Sequence, residues 1–353
     1  MWLGWVAAGF YWAYALGVLV YLKHHWNDEN KKNTRISELV STVLMVIVGS
    51  YILLLYRDPA VTPRGTQLGY GIILVFAGAI TLFLLVNHYR GIQGFRKYGL
   101  TNDPVMTRDY TQFLSLVAEK YCKDHSKDDI IKDLSRKMLH IIVLAVLIVV
   151  HMGSVHYAAQ ISELGLTPMA YRNTIYIAIS TAFIFLFTYA DTLRMTRFNE
   201  LPDWARKWYC KSMDERKEPW TYISSIPFLL ALLLLIFLPV QILFTAGMIS
   251  CLADAAASVV GKHFGKHKLT TIGIYPHKSV EGLVAGIFAG FISVFFVFEM
   301  WPYPGMTLML QLAIALGAAL SFAYADLYGQ YLADNMLNNL LPALTTLVLL
   351  WIF

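Results

Sequence analysis

Ten apolar runs of membrane-spanning length divide this 353-residue chain. The bilayer core accepts a helix of about 17 to 25 mostly apolar residues, because a helix satisfies its backbone hydrogen bonds internally. A composition of 57% hydrophobic and 14% charged residues agrees with this pattern. The sequence therefore predicts an all-α, polytopic membrane protein with about ten transmembrane helices. The predicted spans are 1–22, 37–56, 68–88, 138–157, 169–190, 222–239, 241–260, 280–299, 305–325 and 337–353.

The distribution of lysine and arginine predicts how these spans are oriented. If the spans alternate across the membrane, the loops on one side hold 25 of the 28 basic residues; these loops are 23–36, 89–137, 191–220, 261–279 and 326–336. Because basic residues collect on the cytoplasmic side, we expect these loops in the cytoplasm. There they would face an anionic lipid surface or an anionic substrate. Nucleic acid is a poor partner, because no segment resembles a soluble nucleic-acid-binding module.

Three segments are predicted along the chain: a three-helix membrane segment at 1–88, a cytoplasmic linker at 89–137, and a seven-helix catalytic membrane domain at 138–353. In the linker, apolar residues recur at steps of three and four residues from Tyr110 to Tyr121. This spacing predicts an amphipathic helix on the membrane surface, where packing and anchorage suffice as its role.

A polar cluster at 254–282 interrupts the apolar pattern. Asp254 precedes Gly261 by seven residues in an apolar run, so it should lie about two turns below the helix end. An unpaired carboxylate in a membrane helix is costly, which makes Asp254 a candidate functional residue. Ser258 shares its helix face, and Gly261 allows another backbone to approach closely.

The loop that follows has a composition suited to binding phosphate. Lys262 and Lys266 alternate with glycines that include Gly265. Ser279 is a predicted N-cap, and Lys278 lies beside the positive end of the next helix, a terminus that attracts phosphate. Positive-inside bias alone is an alternative explanation for the lysines. The segment is not a P-loop, because no glycine precedes Lys278 and no strand precedes the loop.

Acidic residues near the same helix ends offer a metal site. Glu281 lies in the first turn of a helix, where an acid is also favourable without any function. Asp326, Asp334 and Asn335 flank the last cytoplasmic turn, which carries no basic residue. Together with Asp254, these side chains supply the hard oxygen ligands that Mg²⁺ takes while it holds substrate phosphates.

The order of these motifs resembles the CTP-dependent lipid alcohol kinases, a family that includes dolichol kinase, phytol and farnesol kinases and the CTP-dependent diacylglycerol kinase. The resemblance covers roughly residues 130–353. It rests on Arg136-Lys137-x-x-His140, Asp191-x-x-Arg194, Phe198-Asn199, Arg216-x-Glu218, Thr221-Tyr222, Asp254-x-x-Ala257-x-x-x-Gly261-x-x-Phe264-Gly265, Lys278-Ser279-x-Glu281-Gly282 and Asp334-Asn335.

The resemblance implies phosphoryl transfer from CTP to the hydroxyl of a membrane polyprenol such as dolichol. In this interpretation Asp254, Glu281 and Asp334 hold Mg²⁺, and Glu281 or Asp334 could instead accept the alcohol proton. His140 is either a proton carrier or a histidine packed between helices. The residues expected to contact CTP are Arg136, Ser258, Gly261, Lys262, Gly265, Lys266, Lys278, Ser279 and Asn335.

Other activities stay open at this point. A CTP-dependent diacylglycerol, phytol or farnesol kinase would use the same motifs. A CTP:phosphatidate cytidylyltransferase-like enzyme would need the same nucleotide, metal and lipid surfaces. An ion-coupled transporter would also bury acids such as Asp254, but its sites usually lie near mid-bilayer between repeats, and no repeat is visible here.

Overall fold

The computed structural model describes residues 2–28, 34–98, 107–122, 128–213, 218–269, 278–329 and 334–353. Within these ranges the chain is helical, and its only β-structure is an isolated bridge between Lys268 and Ser279. The helices are α1 Trp2–His24, α2 Arg35–Ile52, α3 Pro63–Tyr98, α4 Tyr110–Cys122, α5 Asp128–His156, α6 Ala158–Glu163, α7 Pro168–Thr196, α8 Asp203–Ser212, α9 Ser225–Leu235, α10 Val240–Met248, α11 Asp254–Phe264, α12 Val280–Met300, α13 Leu308–Tyr328 and α14 Asp334–Ile352. A π-helical turn, Ile249–Ala253, joins α10 to α11.

The predicted all-α, polytopic membrane fold is confirmed. In the described part of the chain, eight helices are long and apolar enough to cross a membrane. Two shorter apolar helices, His140–His156 and Ser225–Leu235, coincide with the fourth and sixth predicted spans. The structure also divides the long apolar stretch near Pro239, which caps the start of α10. Proline has no amide hydrogen and is unfavourable in a helix interior but tolerated at a helix start, so the division falls there.

The chain forms two compact units, and α5 contributes to both. Unit 1 comprises residues 1–132 and 149–226, and unit 2 comprises residues 133–148 and 227–353. The predicted segments 1–88, 89–137 and 138–353 use other boundaries and stay a prediction.

In unit 1, α3 packs on α7 and α1 packs on α2. Polar contacts inside the unit join tyrosines to threonines of α7, as in the 2.7 Å hydrogen bond between the hydroxyls of Tyr11 and Thr181. The predicted amphipathic segment is the helix α4, and its Phe113 and Val117 are fully buried. Its apolar face therefore packs within unit 1, whereas its position on the membrane surface stays a prediction.

In unit 2, a stripe of small residues on α12 permits close helix packing. A Cβ atom on Gly286 would lie 2.7 Å from the Phe322 ring and 2.9 Å from the Ala257 Cβ. On another side of the unit, a Cβ atom on Gly247 would lie 3.2 Å from Leu144 of α5. These approaches bring the polar ends of α5, α11, α12 and α13 together.

Candidate functional site

Asp254 at the start of α11 forms an ion pair with Lys137 of α5. Their side chains are 15% and 11% exposed, and the Lys137 ammonium also donates to the Asp254 backbone carbonyl at 3.3 Å. Another helix therefore supplies the counter-ion of Asp254, and the functional role of this carboxylate stays a prediction. Lys137 was quoted in the motif that carries the family resemblance but was not selected as a site residue. The sequence signal that could have identified Lys137 is the basic pair Arg136-Lys137 on one span and a buried acid on another.

The π-helical turn Ile249–Ala253 immediately precedes Asp254. Such a turn holds one extra residue and is frequent at functional sites. Here the Cys251 thiol donates to the backbone carbonyl of His140 at 3.1 Å, which joins this turn to α5. The buried ring of His140 stacks on Phe228 with centroids 4.3 Å apart, a contact that the sequence does not predict. This packing fits the alternative of a histidine packed between helices, and the role of proton carrier stays a prediction.

Ser279 caps α12 as predicted, because its hydroxyl accepts a hydrogen bond from the Gly282 amide at 3.2 Å. Three glycines surround this cap. A Cβ atom on Gly261 would lie 3.2 Å from the Ser279 hydroxyl. A Cβ atom on Gly265 would lie 2.1 Å from the Gly261 carbonyl oxygen, and one on Gly282 would lie 2.6 Å from the Ala257 carbonyl oxygen. Only glycine allows the end of α11 and the start of α12 to approach this closely. We call Gly261, Gly265, Ser279 and Gly282 the glycine junction.

Both ends of the loop between α11 and α12 are fastened beside this junction. The Leu269 amide donates to the Lys278 carbonyl at 3.0 Å, and the Val280 amide donates to the His267 carbonyl at 2.9 Å. A Glu281 carboxylate oxygen lies 2.6 Å from His267 Nδ1 and accepts from the His267 amide at 3.2 Å. Glu281 thus holds the loop through His267, a contact that the sequence did not predict. Its predicted metal-binding role stays a prediction.

Lys278 forms an ion pair with Asp326 at the end of α13. The Lys278 side chain is 33% exposed, whereas that of Asp326 is 4% exposed. The ammonium is therefore accessible from outside while its counter-ion is buried. Together with Lys137 and Asp254, this arrangement gives unit 2 two lysine–aspartate pairs near the ends of its helices.

Other residues predicted for the site lie around α11 and at the start of α14. Lys262 and Lys266 are exposed around the end of α11, and Ser258 is half-buried one turn after Asp254. Asn335 is buried at the start of α14, where its backbone carbonyl accepts from the Asn339 side chain at 2.8 Å. The side chains of Arg136 and Asp334, and residues 270–277, lie outside the described residues.

The described residues do not by themselves fit a magnesium site. Within the ranges that the structure describes, no three histidine, cysteine, aspartate or glutamate side chains are grouped so that they could hold a metal ion. Asp254 and Asp326 each pair with a lysine instead. The predicted ligand set of Asp254, Glu281 and Asp334 therefore stays a prediction, and we derive no chemical step through a metal ion.

Asp191 and Arg194, which also carry the family resemblance, lie in unit 1. Both are fully buried, and the Arg194 Nε donates to an Asp191 carboxylate oxygen at 3.0 Å. Arg194 also donates to the backbone carbonyls of Glu218 at 3.0 Å, Pro219 at 2.9 Å and Thr221 at 2.6 Å. These hydrogen bonds hold the segment before α9 against α7.

Comparison with known proteins gives one partial similarity. The chain is similar to the phosphatidate cytidylyltransferases of Staphylococcus aureus strains COL, MSSA476 and MW2, with 34% identity over 91 residues. That stretch covers 24% of this chain and 35% of each relative, so the chain matches about a third of their length. No family model matches the chain, and no solved structure matches it. By their names, these partially matching relatives are cytidylyltransferases that act on phosphatidate.

Proposed function

We propose that this protein is a CTP-using membrane enzyme that transfers a cytidylyl group to a phosphorylated lipid. The observation that carries the proposal is the placement of two lysine–aspartate pairs in the same unit as the glycine junction. The partial similarity to phosphatidate cytidylyltransferases supports the choice of nucleotide and of lipid substrate. By the distribution of basic residues, the nucleotide would enter from the cytoplasm.

Lys137 and Lys278 are the residues proposed to bind the CTP phosphates. Each ammonium is held in place by a carboxylate, so it is already positioned when an anionic ligand arrives. The N-terminus of α12 adds partial positive charge beside the glycine junction, and such a helix terminus favours a phosphate. Transfer at phosphorus depends chiefly on positioning and on neutralising developing charge, which these groups supply.

In the proposed reaction an oxygen of the lipid phosphate attacks the α-phosphorus of CTP. A new phosphorus–oxygen bond forms, the bond to the β-phosphate breaks, and pyrophosphate leaves. The attacking oxygen is already anionic, so the reaction needs no general base. This agrees with the described candidates, because His140 stacks on Phe228, Asp254 pairs with Lys137 and Glu281 binds His267.

A CTP-dependent lipid alcohol kinase is the second candidate, and the order of motifs from Arg136 to Asn335 favours it. In that reaction the alcohol oxygen attacks the γ-phosphorus, CDP leaves, and the alcohol proton must be accepted by a base. Asp334 at the start of α14 would be the candidate base. The acceptor would then be a dolichol-type polyprenol, diacylglycerol, phytol or farnesol.

The two reactions are distinguished by the labelled atom of CTP that enters the lipid. Purified full-length protein would be given CTP labelled at the α- or the γ-phosphorus, with phosphatidate or polyprenol as acceptor. Cytidylyl transfer puts the α-label into the phosphatidate product and releases pyrophosphate. Kinase activity puts the γ-label into the alcohol and releases CDP. Incorporation of neither label under any acceptor would overturn the assignment to CTP-using enzymes.

The role of the lysines is tested by Lys137→Met and Lys278→Met. Removing a charge-assisted phosphate contact costs about 1.5–3 kcal/mol, so we expect CTP affinity to fall about 10- to 100-fold. Lys23→Met, which removes an exposed lysine at the end of α1 in unit 1, is the matched control and should leave affinity unchanged. Normal CTP binding by both folded variants would remove these lysines from the nucleotide site.

A further inference from the structure

Two buried arginines in unit 1 share a single carboxylate. Arg108, just before α4, lies 3.4 Å from an Asp203 oxygen, and Arg206 of α8 pairs with the same oxygen. The side chains of Arg108 and Arg206 are 3% and 0% exposed, whereas that of Asp203 is 54% exposed. Asp203 is therefore the exposed member of the cluster, and the two arginines that it contacts are buried.

The charge of this cluster is not balanced among the described residues. Apart from Asp203, the acceptors that the two guanidinium groups contact within the described ranges are neutral backbone carbonyls: Arg108 donates to Asn199 at 2.6 Å and to Gly91 at 3.5 Å, and Arg206 donates to Leu201. Burial, and then the neighbouring Arg108 charge, lower the pKa of Arg206 to about 10, so it still carries its proton at neutral pH. Among the residues that the structure describes, two positive charges thus face one negative charge.

Each arginine also has a buried donor that is not used. In the part of the chain that the structure describes, the Nε atoms of Arg108 and Arg206 are both buried and make no hydrogen bond. A buried donor without an acceptor costs about 1–3 kcal/mol, and more when the group is charged. An anion that joins the cluster would supply both the missing charge and the missing acceptor oxygens.

The surroundings of the pair indicate which anion reaches it. α8 has ten residues, too few to span a membrane, and it presents the exposed residues Trp204, Lys207 and Lys211. The Trp204 indole nitrogen donates to Asn87 of α3 at 3.1 Å, which fixes α8 beside an end region of the long apolar helix α3. Tryptophan and lysine are typical of the membrane interface, where phospholipid phosphates lie.

We propose that Arg108 and Arg206 form a binding site for the phosphate of an anionic phospholipid at the membrane interface. Arginine suits this ligand because its planar donors match phosphate oxygens in a bidentate geometry. The exposed carboxylate of Asp203 would compete with such a phosphate for the two arginines, because it now accepts from both guanidinium groups. The site lies in unit 1 and is independent of the function proposed for unit 2.

The test measures binding of phosphatidylglycerol and phosphatidylcholine to the full-length protein in detergent by native mass spectrometry. Asp203→Asn should raise phosphatidylglycerol affinity about tenfold, because it removes the competing charge, and Arg108→Gln should lower it about tenfold. Lys211→Gln, which removes an exposed charge from the same helix, is the matched control and should change affinity less than about twofold.

A merely structural cluster would give a different result. If Asp203→Asn folds and binds both lipids as the unchanged protein does, the lipid site is wrong. Asp203 is exposed, so this variant keeps the test decisive even if Arg108→Gln fails to fold. Inorganic phosphate provides the second arm. If it displaces phosphatidylglycerol at equal concentration, the site takes a soluble anion and the lipid assignment is overturned; retention of the lipid supports it.

Discussion

The Asp191–Arg194 ion pair of unit 1 and the two lysine–aspartate ion pairs of unit 2 differ in how completely their hydrogen-bonding groups are satisfied. Asp191 and Arg194 in unit 1 are fully buried, and Arg194 donates to several carbonyls while Asp191 accepts from the Tyr209 hydroxyl at 2.7 Å and the Ile223 amide at 2.8 Å. In unit 2, Lys137 and Lys278 contact one aspartate each, and their side chains are 11% and 33% exposed.

This difference separates two uses of charge in a membrane protein. A buried arginine whose donors are all engaged cannot leave its partner without losing several hydrogen bonds, so it holds segments together. A lysine with one carboxylate partner and an accessible ammonium can exchange that carboxylate for a phosphate at low cost. We therefore expect substitutions in the Asp191–Arg194 pair chiefly to affect stability, and substitutions in the two lysine–aspartate pairs chiefly to affect activity.

The largest expected effect is on the stability of unit 1. Arg194→Met leaves Asp191 buried without its positive partner, and breaking such a pair costs about 3–5 kcal/mol. Unfolding by denaturant in detergent would measure the loss. Arg197→Met is the control, because its side chain is 66% exposed and lies 3.7 Å from Glu200, so it should cost less than about 1 kcal/mol. Equal stability of the two variants would remove the contrast between buried and exposed pairs.

Asp254→Asn should lower turnover. Asparagine keeps an acceptor oxygen but removes the charge that positions Lys137. We expect turnover of the folded variant to fall about a hundredfold, the size seen when a preorganised charge-stabilising group is lost. Turnover with CTP would be compared with that of Asp58→Asn, an exposed acid in unit 1. A turnover within a few-fold of the unchanged protein would contradict a role for Asp254 in the reaction.

Gly282→Ala tests the close approach of α11 and α12. The new methyl group would lie 2.6 Å from the Ala257 carbonyl and 2.9 Å from the Gly261 Cα, and both are backbone atoms that cannot rotate away. Overpacking of this kind costs about 1–3 kcal/mol, measured as a lower thermal midpoint. Gly78→Ala in α3 has open space around the position and should be neutral or stabilising. A Gly282→Ala variant as stable as Gly78→Ala would show that the junction adapts freely.

Ser279→Ala gives the smallest expected effect on stability. Loss of an N-cap side chain costs about 1 kcal/mol. Thr307→Ala is a matched control, because Thr307 caps α13 in the same way, through a 3.2 Å hydrogen bond from the Leu310 amide. Both variants should lose similar stability, but only Ser279→Ala should weaken CTP binding, since Ser279 belongs to the glycine junction. Weaker CTP binding by both would indicate a general effect of helix fraying.

The helices were predictable from sequence because the membrane imposes strict length and polarity on them. Pro239 marked the division between α9 and α10, and Ser279 marked the start of α12. The side-chain partners were not predictable in the same way. Arg136 and Lys137 are adjacent and chemically similar, so the choice of Lys137 as partner of Asp254 depends on how α5 faces α11.

The π-helical turn before Asp254 illustrates the same limit. No composition signal marks Ile249–Ala253, and the extra residue arises from packing among neighbouring helices. The contact between Glu281 and His267 likewise depends on how the loop folds back over the start of α12. Local patterns therefore predicted the elements, whereas the site depends on the register between them.

The bridge between Lys268 and Ser279 has a consequence for the evolution of this chain. It joins the two ends of the segment 270–277 through the Leu269–Lys278 hydrogen bond of 3.0 Å, so the entropic penalty for closing this segment depends only weakly on its length. Insertions or deletions within 270–277 would leave Lys278 and Ser279 in register with α11 and α12. The length and sequence of this segment could therefore change without rebuilding the membrane helices that carry the charged residues.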